Sequence, residues 1–188
     1  MREVELHEVI ESRRAYRSLD LVEIDEGLVE DLAYHASLAP SCYNNQPWRF
    51  IFVYEEEMLQ RLKAALSRGN EWAYKASMII AVLSREDYDC IIGSRRYYLF
   101  DMGIAAAFLI LRATDLGLVA HPIAGYDPEK VKSILGIPED MEVITLIILG
   151  KHKREIDPIL TPRQRESEAE RPPRKSLSEF AFLNHYSL

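Results

Sequence analysis

The chain has 188 residues, of which 48% are hydrophobic and 28% charged, with a net charge of −7. Those proportions fit one globular domain of ordinary size with a real core, and no uninterrupted apolar run reaches the ~18 residues of a membrane span. The acidic balance argues against a general nucleic-acid or anionic-membrane surface.

The opening MREVELHEVIESRR is acidic and amphipathic, so no secretory leader is expected from it. Leu6, Val9 and Ile10 recur at helical spacing and predict a first helix over 4–13, ending in SRRAYR. Asp25 is placed to cap a second helix with Leu28, Leu32 and Ala36 on one face, stopped by Pro40. RFIFVY, 49–54, reads as a buried strand and EEEMLQRLKAAL as a helix; SMIIAVLS, 77–84, is apolar on both faces and so central in a sheet. A long helix, apolar nearly all round, is expected from Arg96 to Leu116. GLVAHPIAGY, 117–126, reads as a strand entering a turn, DPEKVKSILG as a helix with Pro at its first position and Gly136 at its end, and EVITLIILGK, 142–151, as a closing strand. From Thr161 onward the chain is charged and proline-containing, then amphipathic at Leu177, Phe180 and Leu183. This tail reads either as flexible or as a segment that docks on another surface. Helices alternating irregularly with strands favour a three-layer α/β or α+β domain.

Four places carry candidate chemistry. Arg13, Arg14 and Arg17 in SRRAYR can converge if the helix continues, since positions i and i+4 share a face, and Arg offers a fork of donors suited to a phosphate. Read alone, they are better explained as a solvated basic helix end, which the macrodipole favours. APSCYNNQPWRFIFV crowds Asn44, Asn45 and Gln46 before an apolar strand. Such amides either face water and tolerate unusual backbone angles, or offer donor and acceptor together to a polar ligand. In HPIAGY, Pro122 and Gly125 bracket a backbone that a flat ligand can approach, or an ordinary turn. Arg174 and Lys175 are a fourth basic site, or simply a solvated tail. No GxGxxG or GxxxxGK[ST] is present, the five histidines have no metal spacing, and Ser41 has no nucleophile elbow. Cys42 and Cys90 are too few for a disulfide framework and match no metal motif, so reduced thiols in a cytoplasmic setting are the expectation.

Taken together and in this order, SRRAYRSL, APSCYNNQPWRFIFV, DMGIAAAFLILRATDLGLVAHPIAGYDPEKVKSILGIPED and RPPRKSLSEF resemble the nitroreductase family of FMN-dependent oxidoreductases. The resemblance covers nearly the whole chain. It implies an α+β fold, a three-layer α-β-α sandwich with a central mixed sheet, in an intertwined homodimer. It also implies one FMN-binding domain over 1–188, with 161–188 as an extension embracing the partner subunit. By position, Arg13, Arg14, Ala15, Arg17 and Arg174 are expected at the FMN phosphate. Pro40, Ser41, Cys42, Asn44 and Gln46 are expected to line the flavin from the other subunit. Pro122, Ile123, Ala124 and Gly125 are expected along the isoalloxazine, with the Ala124 N–H near N5, and Asn70 at the pyrimidine edge. Ala15 departs from the Ser of many members, and Ala124 from Gly or Glu; residues 85–98 are the nearest thing to a lid.

The function so implied is transfer of hydride from NAD(P)H through flavin N5 to a nitro-aromatic, quinone or similar small-molecule oxidant, by a ping-pong cycle. No metal, nucleic acid or membrane is implied. The alternatives are another flavin reaction on the same scaffold (dehalogenation, flavin fragmentation, dehydrogenation) and a non-catalytic FMN-binding protein.

Overall fold

Residues 5–186 are described by the structure, a computed structural model of the chain. Its architecture follows from one strand, β3 (Met78–Ser84), which is buried along its whole length. Successive side chains of a strand point to opposite faces. Ile79, Ala81 and Leu83 accordingly enter one core, and Met78, Ile80 and Val82 the other. A strand apolar on both faces must be covered on both. On the first side lie α3 (Glu56–Lys63) and α5 (Pro128–Leu135), contributing Leu59, Leu62 and Val131. On the second lie α2 (Glu26–Ser37) and α4 (Tyr98–Asp115), contributing Leu32, Ala36, Met102, Ala105 and Leu109. This is the expected three-layer α+β sandwich.

The spine of the sheet is β7 (Glu142–His152). One stretch of it pairs with β3, from Met78↔Leu149 to Ser84↔Glu142, and it also pairs with β6 (Leu118–Ile123), from Leu118↔Lys151 to Ile123↔Leu146. β2 (Arg49–Val53) lies outside β3, and the two-residue β1 (Leu19–Asp20) pairs with the end of β7. Every pairing among the described residues is antiparallel, where a mixed sheet was expected. The reason lies in the topology. Parallel neighbours need a crossover connection, and α4 provides one between β3 and β6, but β7 is inserted between these two strands and opposes both.

Several boundaries differ from expectation. The first helix, α1, is Leu6–Ser12; the expected start at residue 4 lies outside the described residues. β2 is an edge strand in which only Val53 is buried, because it pairs with β3 alone. The long helix begins at Tyr98 rather than Arg96, since Arg95–Arg96 (β5) pairs with Ile91–Ile92 (β4) in a small hairpin. Nor is α4 covered all round: Leu99, Phe100 and Phe108 are exposed, at 48%, 65% and 38%. The charged tail contains a further helix, α6 (Pro162–Ala169), that composition concealed. The signal was there in T-P-R-Q. The Thr161 hydroxyl accepts from the Gln164 N–H, the Gln164 side chain accepts from the Thr161 N–H, and Pro162 occupies the first helical position.

What fixes α6 to the domain is Glu168, only 5% exposed. Its carboxylate accepts from the Arg17 N–H at 2.9 Å and the Ser18 N–H at 2.8 Å, with His152 Nε2 at 3.8 Å. Hydrogen bonds to a charged acceptor are the strong kind, and removing one partner leaves the other buried and unsatisfied. Glu168→Ala is therefore expected to lower the unfolding free energy in urea by about 2–5 kcal/mol, and Glu168→Gln, which keeps one acceptor, by less than half as much. An Ala variant within ~0.5 kcal/mol of wild type would show that this carboxylate does not hold the segment.

Candidate functional site

The basic stretch after α1 is not helical. The helix stops at Ser12, Arg13 is extended (φ −56°, ψ 120°), and residues 13–18 wrap against α6. The arginines converge by this path and not through helical spacing. Arg13, Arg14, Ala15 and Arg17 line one cavity with Ser167, Arg171, Pro172 and Arg174. Three of the five guanidinium groups have protein partners. Arg14 donates to the carbonyls of Ser167 (2.8 Å) and Glu168 (3.1 Å), Arg17 reaches Ser167 Oγ (3.3 Å), and Arg171 donates to the carbonyls of Glu11 and Arg13. Arg13 and Arg174 make no side-chain hydrogen bond or ion pair with any described residue. Burial, then the charges of Arg171 and Arg174, push the Arg13 pKa below its ordinary value. Burial also lowers that of Arg17, against the pull of Glu168. Cations so crowded make a site for an anion with several oxygens. Arg171 escaped the sequence reading because its segment was taken as tail; its signal was the neighbouring Arg174.

The second part lies at the end of β6. Pro122 and Ala124, two apart on an extended backbone, are both exposed, with Ile123 buried between them. The Gly125 carbonyl accepts from Asn70 Nδ2 (2.8 Å) and from the Ser67 N–H (2.9 Å). A Cβ on Gly125 would stand 2.3 Å from Asn70 Nδ2, so close approach is what demands glycine here. Asn70 and the turn, assigned to one ligand from distant parts of the sequence, are thus in contact. Trp72 continues the chain of contacts. Its Nε1–H donates to Asn70 Oδ1 (3.3 Å), its ring stacks on His121 at 4.7 Å, and the Arg17 guanidinium lies 5.9 Å from its ring centre. His121 Nδ1 in turn lies 3.0 Å from the Tyr16 carbonyl, which joins the turn to the arginine segment. The arginine cavity and the 122–125 turn therefore form one unit of the chain.

The amide loop stands apart from that unit. Tyr43, Asn44 and Gln46 adopt left-handed backbone angles (φ 49°, 58° and 50°), whereas Asn45 does not (φ −69°). Asn tolerates that region; Tyr and Gln rarely adopt it, and such strain gathers at functional loops. Ser41 Oγ accepts from the Gln46 N–H (3.0 Å), and Gln46 Nε2 donates to the Asn44 carbonyl (3.3 Å). The loop's outward ties run elsewhere: the Cys42 N–H to Asp101 Oδ2 (2.6 Å) and Asn45 Nδ2 to Asp89 Oδ1 (3.2 Å). Cys42 is also disulfide-bonded to Cys90, which corrects the expectation of free thiols. The two stand 48 residues apart in sequence, and only the docking of the loop on Asp101 and of Asp89 on the loop brings them together. Among the described residues, no hydrogen bond joins the loop to the arginine cavity or to the 122–125 turn.

His121 sits beneath the arginines, and its pKa is lowered from 6.5 to about 4, by burial first, with the charges of Arg17 and Arg13 adding to it. Between those two values the unfolded chain binds a proton that the folded chain refuses. The contribution to stability is complete above pH 6.5 and is lost as pH falls toward about 4. Over that interval the stability of wild type relative to His121→Phe is expected to drop by about 3 kcal/mol, read from urea midpoints at several pH values. A difference that stays constant with pH would place the titration elsewhere.

Comparison with known proteins identifies the family. The family model described as the nitroreductase family matches residues 10–73 and 66–151. An Archaeoglobus fulgidus protein named for NADH dehydrogenase/NAD(P)H nitroreductase activity is 30% identical over 157 residues, covering 79% of this chain and 86% of that one. The NADH dehydrogenase of Thermus thermophilus is 26% identical over 169 residues, covering 73% and 82%. Among solved structures, one described as an oxidoreductase containing FMN superposes with a TM-score of 0.82 at 26% identity, covering 100% of this chain and 96% of its own. An Exiguobacterium sibiricum protein crystallised with FMN shares the fold, with a TM-score of 0.79 at 22% identity over 98% of this chain and 99% of that one. The chain is thus an oxidoreductase that belongs to the nitroreductase family.

Proposed function

We propose that the chain is an FMN-dependent NAD(P)H oxidoreductase that passes hydride to a nitro-aromatic, quinone or similar small oxidant in a ping-pong cycle. The observation that carries this reading is the arginine cavity, whose Arg13 and Arg174 side chains have no hydrogen-bond or ion-pair partner among the described residues. That donor set fits a phosphate dianion on a cofactor, and relatives named for NAD(P)H nitroreductase activity support the same reading. When bound, FMN supplies hydride acceptance at N5 and delivery of the electrons to a second substrate.

The chain's own residues bind and orient. Arg13, Arg17 and Arg174 would hold the phosphate; Arg14, committed to the Ser167 and Glu168 carbonyls, and Arg171, committed to those of Glu11 and Arg13, position the cavity walls. Pro122 and Ala124 are exposed and would offer a face to the flat ring, with the Ala124 N–H as the donor for N5. Ile123 is buried and would contribute backbone alone, while Asn70, held at the Gly125 carbonyl, would serve the pyrimidine edge. A backbone donor at that place would bond the lone pair of the oxidised N5 and help to position the ring.

Pro40, Ser41, Cys42, Asn44 and Gln46 belong, in this reading, to the flavin site of a second copy of the chain. The uncovered apolar residues support a homodimer: Leu99, Phe100 and Phe108 on α4, Leu6 and Ile10 on α1, and Leu177, Phe180 and Leu183 in the tail. So large an exposed apolar surface marks an interface. Within 161–188, α6 and Arg171 are held by the chain's own domain, and the exposed Leu177, Phe180 and Leu183 beyond them are the part that would meet the partner. Among the described residues no helix is long and apolar enough to cross a membrane.

Purified protein is expected to be yellow, to bleach on anaerobic addition of NADH or NADPH, and to regain colour when a nitro-aromatic or quinone is added. Bound FMN that neither nicotinamide reduces would overturn the enzyme reading in favour of a binding protein. Arg13→Ala and Arg174→Ala should each weaken FMN by about tenfold or more and riboflavin hardly at all, because only FMN carries the dianion. Equal losses for the two ligands would remove these arginines from the phosphate. Gly125→Ala displaces Asn70, so flavin affinity should fall about tenfold with folding intact by circular dichroism; unchanged affinity would separate this turn from the site.

A further inference from the structure

The Cys42–Cys90 bond has no part in the reading above, although Cys42 itself is placed there in a flavin site, and its surroundings are unlike those of an inert structural disulfide. Cys90 lies in the segment 85–97 that joins β3 to α4, Cys42 in the strained amide loop, and both are half-buried. Beside them stand two carboxyls, Asp101 at 3% and Asp89 at 8% exposure. Asp101 Oδ2 accepts from the Cys42 N–H, and Asp89 Oδ1 accepts from the Cys90 N–H (2.8 Å) and Asn45 Nδ2. Asp89 Oδ2 is buried with no donor to satisfy it. A carboxylate oxygen of Asp89 lies within 4.8 Å of both sulfurs, and burial, then the neighbouring Asp89 carboxyl, raises the Asp101 pKa. Asn45 Nδ2 also approaches Cys90 Sγ at 3.5 Å, where it supports negative charge on that sulfur.

We propose that Cys42–Cys90 is a reversible thiol–disulfide exchange site for a dithiol reductant, with the Asp89–Asp101 pair as its proton store. The thiolate of the reductant attacks Cys42 Sγ; the S–S bond breaks and its electron pair leaves on Cys90 Sγ, which takes a proton from the aspartate pair. The second thiol of the reductant gives its proton back to the pair as it attacks the mixed disulfide, and Cys42 leaves as a thiolate that takes a proton from solvent. The protein gains two thiols, and the reductant ends as its own disulfide. Thiolate attack with a stabilised leaving sulfur is what sets such rates. Opening the bond removes the covalent tie between the amide loop and segment 85–97, leaving the hydrogen bonds of Cys42 to Asp101 and of Asn45 to Asp89.

The test uses the whole protein as purified, incubated with dithiothreitol in ratios of reduced to oxidised form, quenched by alkylation and weighed by mass spectrometry. Two cysteines should convert together, reversibly and without denaturant, and hydrogen exchange across 85–97 should rise on reduction. Cys42→Ser/Cys90→Ser should show the exchange pattern of the reduced protein. Asp89→Asn should slow reduction about tenfold at equal thiolate concentration and flatten its pH profile, an effect that loss of packing alone would not produce. A pair never found oxidised, a disulfide opened only in denaturant, or an Asp89→Asn variant with wild-type rate and pH profile would each overturn the proposal. None of these readouts depends on flavin, so the result stands apart from the proposed function.

Discussion

Glu168 joins two stretches of chain about 150 residues apart, taking the N–H groups of Arg17 and Ser18 on one buried carboxylate. Everything in the basic cavity depends on that contact. It holds residues 13–18 against α6, and Arg14 repays it from the other side by donating to the carbonyls of Ser167 and Glu168. Only with both strands of chain fixed in this way can five guanidinium groups be kept within one cavity despite their mutual repulsion. The fold supplies the restraint, and the repulsion leaves the cavity suited to an anion.

The sheet determines where that cavity stands relative to the rest of the site. β7 pairs with both β3 and β6, and the turn after β6 emerges beside residues 65–70, where Ser67 and Asn70 seize the Gly125 carbonyl. Trp72 and His121 fill the space between this turn and the arginines. The amide loop leaves from the opposite layer, between α2 and β2, and docks on the first turn of α4. The basic cavity and the amide loop therefore lie apart, and among the described residues Leu99, Phe100 and Phe108 on α4 and Leu177, Phe180 and Leu183 in the tail are exposed. On the proposed reading, a second copy would satisfy both conditions at once.

Much of this was legible in the residues. The all-apolar β3 announced a sheet covered on both faces, and the capping residues Asp25 and Asp127 stand where expected, accepting from Leu28 and Lys130. The arginines, the turn and the amide loop were each ambiguous alone and acquired meaning through their order. What escaped detection was of another kind. Strand direction depends on β7 slipping between β3 and β6, a three-dimensional event with no local signature. The disulfide depends on two loops meeting, and two cysteines 48 residues apart carry no sign of it. Arg171, Glu168 and α6 were hidden by the charged composition of their segment, although the Thr161–Gln164 capping box was there to be read. His121 looked like a failed metal ligand, whereas its role is to stay neutral between Trp72 and the arginines.

The central claim is that a complete flavin site exists only between two copies of the chain. Sedimentation velocity of the flavin-loaded protein, followed at the visible absorbance of the flavin through a dilution series, tests it most directly. The account predicts that all protein-bound flavin travels at the rate of a dimer and that chains dissociating to monomer release it. Flavin sedimenting with the monomer would contradict it.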